Sequence, residues 1–412
     1  MSAAHTPYPA SWDGAQRQRF APLSKLLGVD GLFDAFSMVH VSGTNGKGSI
    51  CAYLAQICRT AGLKTGLFIS PHLYHETERV QVNGQAIPPE VFQHYMDQAY
   101  AASSGVKLFE AYLYIALRYF AQEGVDIAVI ETGIGGSMDA SSVIAPVLCV
   151  TGTIGYDHES VLGHEIQRIA AQKAGINKPG VPAVLYPTAH EEARQAYRAA
   201  CARIGAPLTD LHGLRLVPLH SDLHGQTFDF AWQGGEMRRV QIAMLGAHQM
   251  QNAATAAVAA YKLAEAGFPI READIRTGLR DTRWPGRMEV RPGDVTLLID
   301  GAHNKEGAQA LARACAQLIA GRPAVLLTAV MGDKDVLDVV QALAPIAQKV
   351  VCTCADPRRG LGAKDLAALY GANAVAEDDP GAALARAQAL CPKGGVIVIA
   401  GSLYLPGALG LG

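Results

Sequence analysis

A lysine set between two glycines is the first sign of chemistry in this chain. The stretch Met38-Val39-His40-Val41-Ser42-Gly43-Thr44-Asn45-Gly46-Lys47-Gly48-Ser49 reads as a short apolar strand, a glycine-rich turn and a helix that begins near Ile50. Such a turn brings successive backbone N–H groups toward an anion, the helix N-terminus adds its positive dipole end, and Lys47 supplies a mobile cation for the outer phosphates. A nucleoside triphosphate fits that site. The spacing departs from the general G-x-x-x-x-G-K-[ST] pattern: Val41 stands where the first glycine belongs, and Gly48 separates Lys47 from Ser49. A tight turn with no ligand is the plain alternative, but two glycines flanking a lysine need a reason.

Five further residues gain interest from the company they keep. Residues 65–69 read as a second strand that stops at Ser70-Pro71-His72-Leu73, and strand ends of this kind carry function in open α/β sheets. Read alone, Ser70 and His72 are turn residues. Residues 127–130 are fully apolar, as a central parallel strand should be, and end on Glu131-Thr132-Gly133-Ile134-Gly135-Gly136. A carboxylate at that tip faces the same crevice as the glycine turn. Buried or half-buried, Glu131 needs a cation, and Mg²⁺ on the nucleotide is the economical partner. The next strand, 148–151, leads to Asp157-His158 and to a helix over about 164–174 that contains Lys173. A lone histidine is more often a structural hydrogen-bonder, and a lone helix lysine is usually solvated.

The elements that must position these residues alternate in type. Helices are predicted over 50–61, 89–102 and 109–122, with strand and turn over 79–84. From 181 to 244 the pattern becomes short β runs, including 227–232 and 237–243, before Gly246 to Asn252 open an alanine-rich helix. After Arg283-Trp284-Pro285-Gly286-Arg287 the βα alternation restarts, with strands over 296–300, 324–329, 349–353 and 395–400. The fold class is α/β: an N-terminal P-loop-type ATPase domain with a mainly parallel sheet over 38–284, a linker over 285–293, and a smaller C-terminal α/β, Rossmann-like domain over 294–412. Residues 1–37 form a leader packed on the first domain, in which Phe20, Leu23, Leu26, Leu27 and Leu32 predict a short amphipathic helix.

Composition agrees with this layout. With 412 residues, half of them hydrophobic, the chain can bury two substantial cores. A net charge of −2 gives no basic field of the kind that drives nucleic-acid binding, which leaves small molecules as partners. The eight cysteines form no C-x-x-C and no His-flanked cluster, and read as buried free thiols. Residues 1–19 contain no apolar h-region, and no run reaches the roughly 18 apolar residues that a membrane span requires. The expectation is a cytoplasmic monomer that engages neither nucleic acid nor membrane.

Taken in order, the stretch from His40 to Ser49, Ser70-Pro71-His72-Leu73, the stretch from Glu131 to Gly136, Asp157-His158, Gln172-Lys173-Ala174-Gly175, His248-Gln249 with Asn252, Pro285-Gly286-Arg287, Asp300-Gly301-Ala302-His303-Asn304 and Ala400-Gly401-Ser402-Leu403-Tyr404 resemble the folylpolyglutamate synthase/dihydrofolate synthase family. That family belongs to the wider muramyl-ligase-like ATP-dependent ligases. The resemblance implies a reaction in which ATP converts a folate or dihydropteroate carboxylate to an acyl phosphate, which the amine of L-glutamate then attacks. It implies that Thr44, Asn45, Gly46, Lys47, Gly48 and Ser49 cradle the phosphates, with Lys47 steadying the β/γ charge. By the same resemblance Ser70, Glu131 and His158 are Mg²⁺ ligands. Lys173 matches a carbamylated lysine that serves a second metal or its waters, and Lys47, His158 and Lys173 form the catalytic set. Asn252, Arg287, Asp300 and His303 would bind nucleotide at the domain junction, while Phe109, Glu110 and Asp139 would lie near the acyl substrate.

The chain also departs from the family. Where the family usually reads Gly-Gly-Arg-x-Asp-Ala-Thr-Asn, this chain reads Gly135-Gly136-Ser137-Met138-Asp139-Ala140-Ser141-Ser142, and the family's glutamate before the lysine is Gln172. An arginine, an asparagine and one negative charge are absent, and Arg79 is a candidate substitute cation. The favoured reading is an ATP-dependent ligase that joins L-glutamate to dihydropteroate and/or tetrahydrofolate. The altered loop keeps open the same machinery acting on a non-folate carboxylate. A third reading, a nucleotide-binding module without ligase activity, has Glu131, His158 and Lys173 together against it.

Overall fold

The structure is a computed structural model that describes residues 35–102, 105–332 and 336–412. The helix expected within the leader lies outside the described residues. From Ser37 the chain runs β1 (Ser37–Ser42), α1 (Lys47–Thr60), β2 (Thr65–Phe68), β3 (Val80–Val82), β4 (Gln85–Ala86), α2 (Pro89–Ala102), α3 (Leu108–Gln122) and β5 (Ile127–Glu131). It continues through β6 (Leu148–Thr151), α4 (Glu159–Leu162), α5 (Ile166–Ala174), β7 (Ala183–Leu185), α6 (Glu191–Ile204) and β8 (Leu208–Asp210). These strands form one sheet in the order β4-β3-β2-β5-β1-β6-β7-β8, parallel from β2 to β8, with β3 and β4 antiparallel at one edge.

Every residue of β2, β5 and β6 is buried, because crossover helices cover both faces of a parallel sheet and leave no strand face to water. Helix α3 supplies much of that cover: Ile115 and Phe120 share a fully buried cluster with Phe68 and Ile130. Phe36, at the start of the described chain, meets Phe120 edge-on at 6.0 Å. The strand order reverses at β1, which lies between β5 and β6, and ligand crevices open beyond the carboxyl ends of strands at such a switch point. The register Val41↔Glu131 and Ser42↔Thr151 brings the glycine turn, Glu131 and the segment after β6 to that one edge.

Strands β9 (Arg215–Asp222), β10 (Gly225–Trp232) and β11 (Gly235–Ile242) form a separate sheet in the order β11-β10-β9, where short β runs are expected. Helix α7 (Ala247–Glu265) follows, its Ala253, Ala254, Ala256 and Ala257 wholly buried, and then α8 (Glu272–Asp281). By packing, the described residues up to Val217 join Asp229–Val240 and Gln251–Thr282 in the first unit. The second takes Pro218–Phe228, Gln241–Met250 and Arg283–Gly412.

The second unit continues with β12 (Glu289–Arg291), β13 (Thr296–Ile299), α9 (Lys305–Leu318), β14 (Ala324–Thr328), β15 (Lys349–Cys352), β16 (Ala374–Ala376) and β17 (Val396–Ala400). The sheet order is β12-β13-β17-β14-β15-β16, parallel except for β12. Residues 285–293, read from sequence as a linker, thus contain an edge strand that pairs antiparallel with β13. Alternation places Leu298, Leu326 and Val398 in one core, with Ile299, Leu327 and Ile399 in another on the opposite face. All eight cysteines are free thiols, seven buried and Cys354 half-buried. Among the described residues no helix is long and apolar enough to cross a membrane.

Candidate active site

β1 delivers the chain into the phosphate loop. Gly46 is left-handed at φ 84°, and a Cβ there would lie 2.6 Å from Asn252 Oδ1, so glycine is what lets Asn252 of α7 approach. No side chain caps α1 at Gly46, which is the arrangement of an anion-binding helix start. The amides of Thr44 and Asn45, expected to face phosphate, are donated instead to Thr153, one to its carbonyl at 2.7 Å and one to its Oγ1 at 2.9 Å. Thr44 Oγ1 also donates to Gly155 O at 3.0 Å while accepting the Gly155 N–H at 3.1 Å. These two residues therefore set the loop's shape by fastening it to the segment after β6, and the amides left to meet a phosphate begin at Gly46.

Lys47 Nζ donates to Thr44 O at 3.3 Å and lies 4.0 Å from Glu131 Oε1. Glu131 Oε2 accepts the Ser70 N–H at 3.1 Å, a meeting that the pairing of β2 with β5 arranges. Lysine, carboxylate and serine thus gather at one strand edge. Arg79, buried, donates to Ser70 Oγ at 3.2 Å and to His72 Nδ1 at 2.9 Å, and stacks 4.5 Å from the Tyr112 ring centre. Because Nδ1 accepts, the His72 proton sits on Nε2. Burial, and then the nearby Arg79, lowers the pKa of this histidine.

His158 caps α4 in a left-handed conformation, φ 52°, with Nε2 4.0 Å from Asp157 Oδ2. A non-glycine residue held there stores about 1–3 kcal/mol, and such strain collects at functional sites. Among the described residues no three His, Cys, Asp or Glu side chains gather into a metal cage. The expected set of Ser70, Glu131 and His158 holds one carboxylate and one imidazole, so phosphate and water oxygens would complete any hard-cation shell.

The loop after Glu131 is clamped onto α5. A Cβ on Gly136 would lie 2.5 Å from Gln172 O and 2.8 Å from Lys173 O. The Ser137 N–H donates to Gln172 O at 2.9 Å, and its hydroxyl donates to Gln172 Oε1 at 2.5 Å. Two departures from the family pattern therefore touch each other: a neutral hydrogen-bonded pair stands at the positions where the resemblance expects an arginine and a glutamate. Arg79, the candidate stand-in for the missing arginine, is engaged with Ser70, His72 and Tyr112 instead. Lys173 lies in the same last turn of α5 and is 3 % exposed.

Of the three residues expected near the acyl substrate, only Phe109 keeps a partly open face. Its ring packs 5.7 Å from that of Phe68 and reaches Gly133. Glu110 is buried, and its Oε2 accepts the Lys107 N–H at 3.1 Å to close the capping box of α3. Asp139 is likewise turned inward. Its Oδ2 accepts the amides of Gly133 and Ile134 at 2.9 and 3.0 Å, and its Oδ1 accepts the Ser141 amide at 2.9 Å and hydroxyl at 2.5 Å. Burial raises its pKa against the pull of these bonds. Expected to face the acceptor, its carboxylate is the internal anchor of the loop. Sequence reading passed over the close approach of Gly136 to α5 and the Ser137–Gln172 contact because each partner lies far along the chain.

In the second unit Asp300 is buried at the end of β13, where it accepts the amides of Met288 at 2.9 Å and Ala302 at 2.8 Å. Burial raises its pKa and Arg287 opposes that shift. His303 Nδ1 lies 2.8 Å from Gly301 O, and a carbonyl only accepts, so the proton is on Nδ1. His248 is pushed down to about 4 by burial and then by Arg287 and Arg313.

Residues 41–260 match the Mur ligase middle domain and residues 286–403 the Mur ligase glutamate ligase domain. A dihydrofolate synthase/folylpolyglutamate synthase of Bacillus subtilis is 32 % identical over 380 residues, covering 89 % of this chain and 87 % of that protein. Folylpolyglutamate synthase of Mycobacterium tuberculosis, solved with ADP, superposes with a TM-score of 0.88 at 28 % identity over 97 % of this chain and 94 % of that one. A bifunctional folylpolyglutamate synthase/dihydrofolate synthase, solved with Mn, AMPPNP and L-glutamate, gives 0.83 at 25 % identity over 94 % and 92 %. Likeness of this extent, carried through both Mur ligase domains, settles the family: the chain belongs to the folylpolyglutamate synthase/dihydrofolate synthase family of ATP-dependent ligases.

Proposed function

We propose that this chain joins L-glutamate to a folate-type carboxylate, that of dihydropteroate and/or tetrahydrofolate. The acceptor carboxylate oxygen attacks the γ-phosphorus of ATP and ADP leaves; the glutamate amine then attacks the acyl carbon, phosphate leaves, and the amine gives up a proton. The observation that carries this reading is the meeting of Lys47, Glu131 and Ser70 at the mouth of the phosphate loop. Phosphoryl transfer asks the protein mainly for positioning and charge, and this is where both are concentrated. Gly46 to Ser49 hold phosphate, with Lys47 on the β/γ oxygens, and Asn252 closes over Gly46. By the family resemblance Arg287, Asp300 and His303 bind nucleotide as well. Phe109 offers a flat apolar contact to the acceptor ring, and Asp139 organises the loop beside it.

The oxygen and imidazole donors of Ser70, Glu131 and His158 fit a divalent cation, since a buried carboxylate beside a phosphate loop calls for one. Bound there, it would draw charge off the transferring phosphoryl group. The relative solved with Mn and AMPPNP supports a divalent metal together with ATP. Two Mg²⁺ sites with carbamylated Lys173 belong to the same proposal, since a carbamate on this buried lysine would offer an oxygen ligand. Intact mass of the active enzyme should show that adduct, and an unmodified lysine in a fully active sample counts against it. A reducing cytoplasm accords with eight free thiols, and a monomer belongs to the same proposal.

Likeness to folate ligases through both domains disfavours both a non-folate acceptor and a silent nucleotide binder. The test is ADP release by purified protein with glutamate, Mg²⁺ and a panel of pteroate, folates and unrelated carboxylates. Glutamate-dependent release with dihydropteroate or tetrahydrofolate is expected. Release only with the unrelated acids would overturn the reading.

A further inference from the structure

Successive residues of a strand point to opposite faces, so His40 and Ser42 of β1 share a face. Both grip the loop that follows Glu131. The Ser42 hydroxyl donates to Gly135 O at 2.8 Å, and His40 Nε2 lies 2.8 Å from Ser141 Oγ. Ser141 in turn reaches Asp139 Oδ1 through both its hydroxyl and its amide. The direction of this chain of bonds can be worked out. Asp139 Oδ2 receives two N–H groups, which can only donate, Oδ1 receives a third from Ser141, and the Ser141 hydroxyl lies within donating distance of the same Oδ1, so all four contacts meet as acceptor bonds on one carboxylate. The Ser141 hydroxyl therefore spends its one proton on Asp139 and accepts from His40 Nε2–H. The reverse order would place the His40 proton on Nδ1, a buried atom with no hydrogen-bond partner, and a stranded N–H is rarer than a stranded acceptor.

We infer that His40 and Ser141 are positioning residues: they hold Asp139, and through it the amides of Gly133 and Ile134, so that the strand leading into the phosphate loop also sets the shape of the acceptor loop. Lys178 Nζ, donating to Ser142 O at 2.9 Å, fastens the far end of the same loop. The inference rests on the proposed reading that the loop borders the acceptor.

The test compares Ser141→Ala, Ser141→Thr, His40→Gln and Asp139→Asn in the full chain, by steady-state ADP release with tetrahydrofolate or dihydropteroate and by thermal unfolding. Ser141→Ala should raise the acceptor KM about tenfold, as losing a hydrogen bond to a charged group does, with the ATP KM within twofold. Ser141→Thr keeps the hydroxyl and His40→Gln keeps a donor, so both should stay within about threefold of the parent on the acceptor KM. A merely structural role would lower the melting temperature and move both KM values together, and that result overturns the inference. If Asp139→Asn raises the acceptor KM while a folded Ser141→Ala does not, the His40–Ser141 link is refuted on its own. If Asp139→Asn also leaves the acceptor KM unchanged, the reading that the loop borders the acceptor falls with it.

Discussion

Replacing Gly136 with alanine sets one methyl group against two backbone carbonyls, 2.5 Å from Gln172 O and 2.8 Å from Lys173 O. Neither oxygen can rotate away, since both belong to the last turn of α5. A carbon–oxygen contact settles near about 3.3 Å, so loop and helix must part by about 0.8 Å. The Ser137 N–H bond to Gln172 O, now 2.9 Å, would then stretch beyond hydrogen-bond range. Overpacking costs about 1–3 kcal/mol and the lost bond about 1 more, so the variant should be less stable by about 2–4 kcal/mol. For a unit of this size the melting temperature should fall by on the order of 10 °C. Because Lys173 rides on the displaced turn, kcat should drop by up to about a hundredfold, the cost of an ångström-scale misplacement, while the ATP KM changes little. Calorimetry and steady-state ADP release measure the two effects, with Gly213→Ala as control, a site where an added Cβ meets nothing within 4 Å. If Gly136→Ala matches that control in melting temperature and kcat, the clamp between loop and helix does not exist.

Three further outcomes are expected. Lys47→Ala should cut kcat by about 10²–10³-fold while raising the ATP KM less than tenfold, since its charge serves the transferring phosphoryl group more than bound ATP; near-normal ligation by the folded variant would remove Lys47 from the chemistry. Ser137→Arg should destabilise by about 1–2 kcal/mol and Gln172→Glu added to it should restore most of that, a coupling near 1 kcal/mol, whereas strictly additive effects would show that the two positions do not compensate. His248, pushed down to about 4 from an unfolded value near 6.5, is neutral in the native state at neutral pH. Between those values the unfolded chain binds more protons, so this residue's contribution is full above about pH 6.5 and is lost as pH falls toward 4. Its upper size is about 2–3 kcal/mol, discounted for partial exposure. Denaturant unfolding of His248→Gln should show a shallower acid limb, and an unchanged limb would exclude the histidine as its source.

Much of this was legible from sequence because the signals were local. The central strand is marked by four consecutive apolar side chains, Ile127 to Ile130, all buried as expected, and the glycine turn at Gly46 is fixed by the helix it must start. What the sequence could not deliver was which partner each polar side chain takes. Asp139 and Glu110 carry the residue types of ligand-binding carboxylates, yet each is consumed by amides within a few residues of itself, Asp139 by Gly133 and Ile134, Glu110 by Lys107. A carboxylate three residues into a helix is a capping signal as much as a binding one, and for Glu110 that local reading prevails. The edge strand at Glu289–Arg291 was masked in the same way, since its charged residues and flanking prolines resemble a linker and only its pairing with β13 makes it a strand.

The loop after Glu131 shows why departures from a family pattern have to be judged in pairs. Taken one at a time, the loss of an arginine at Ser137 removes a cation from the acceptor side, and the loss of a glutamate at Gln172 removes an anion beside Lys173. Each alone would shift a local field by a full charge. In contact at 2.5 Å they cancel: a neutral donor meets a neutral acceptor, the backbone bond from Ser137 N–H to Gln172 O keeps its place, and the field at Lys173 changes far less than either substitution suggests. A pair of this kind gives up the Coulomb term and with it the desolvation penalty of two half-buried charges, a near-even exchange in a polar crevice. The sensitive part of the loop is therefore its close backbone contact with α5, which either pair of side chains can accompany, and a Cβ at Gly136 disturbs that contact directly.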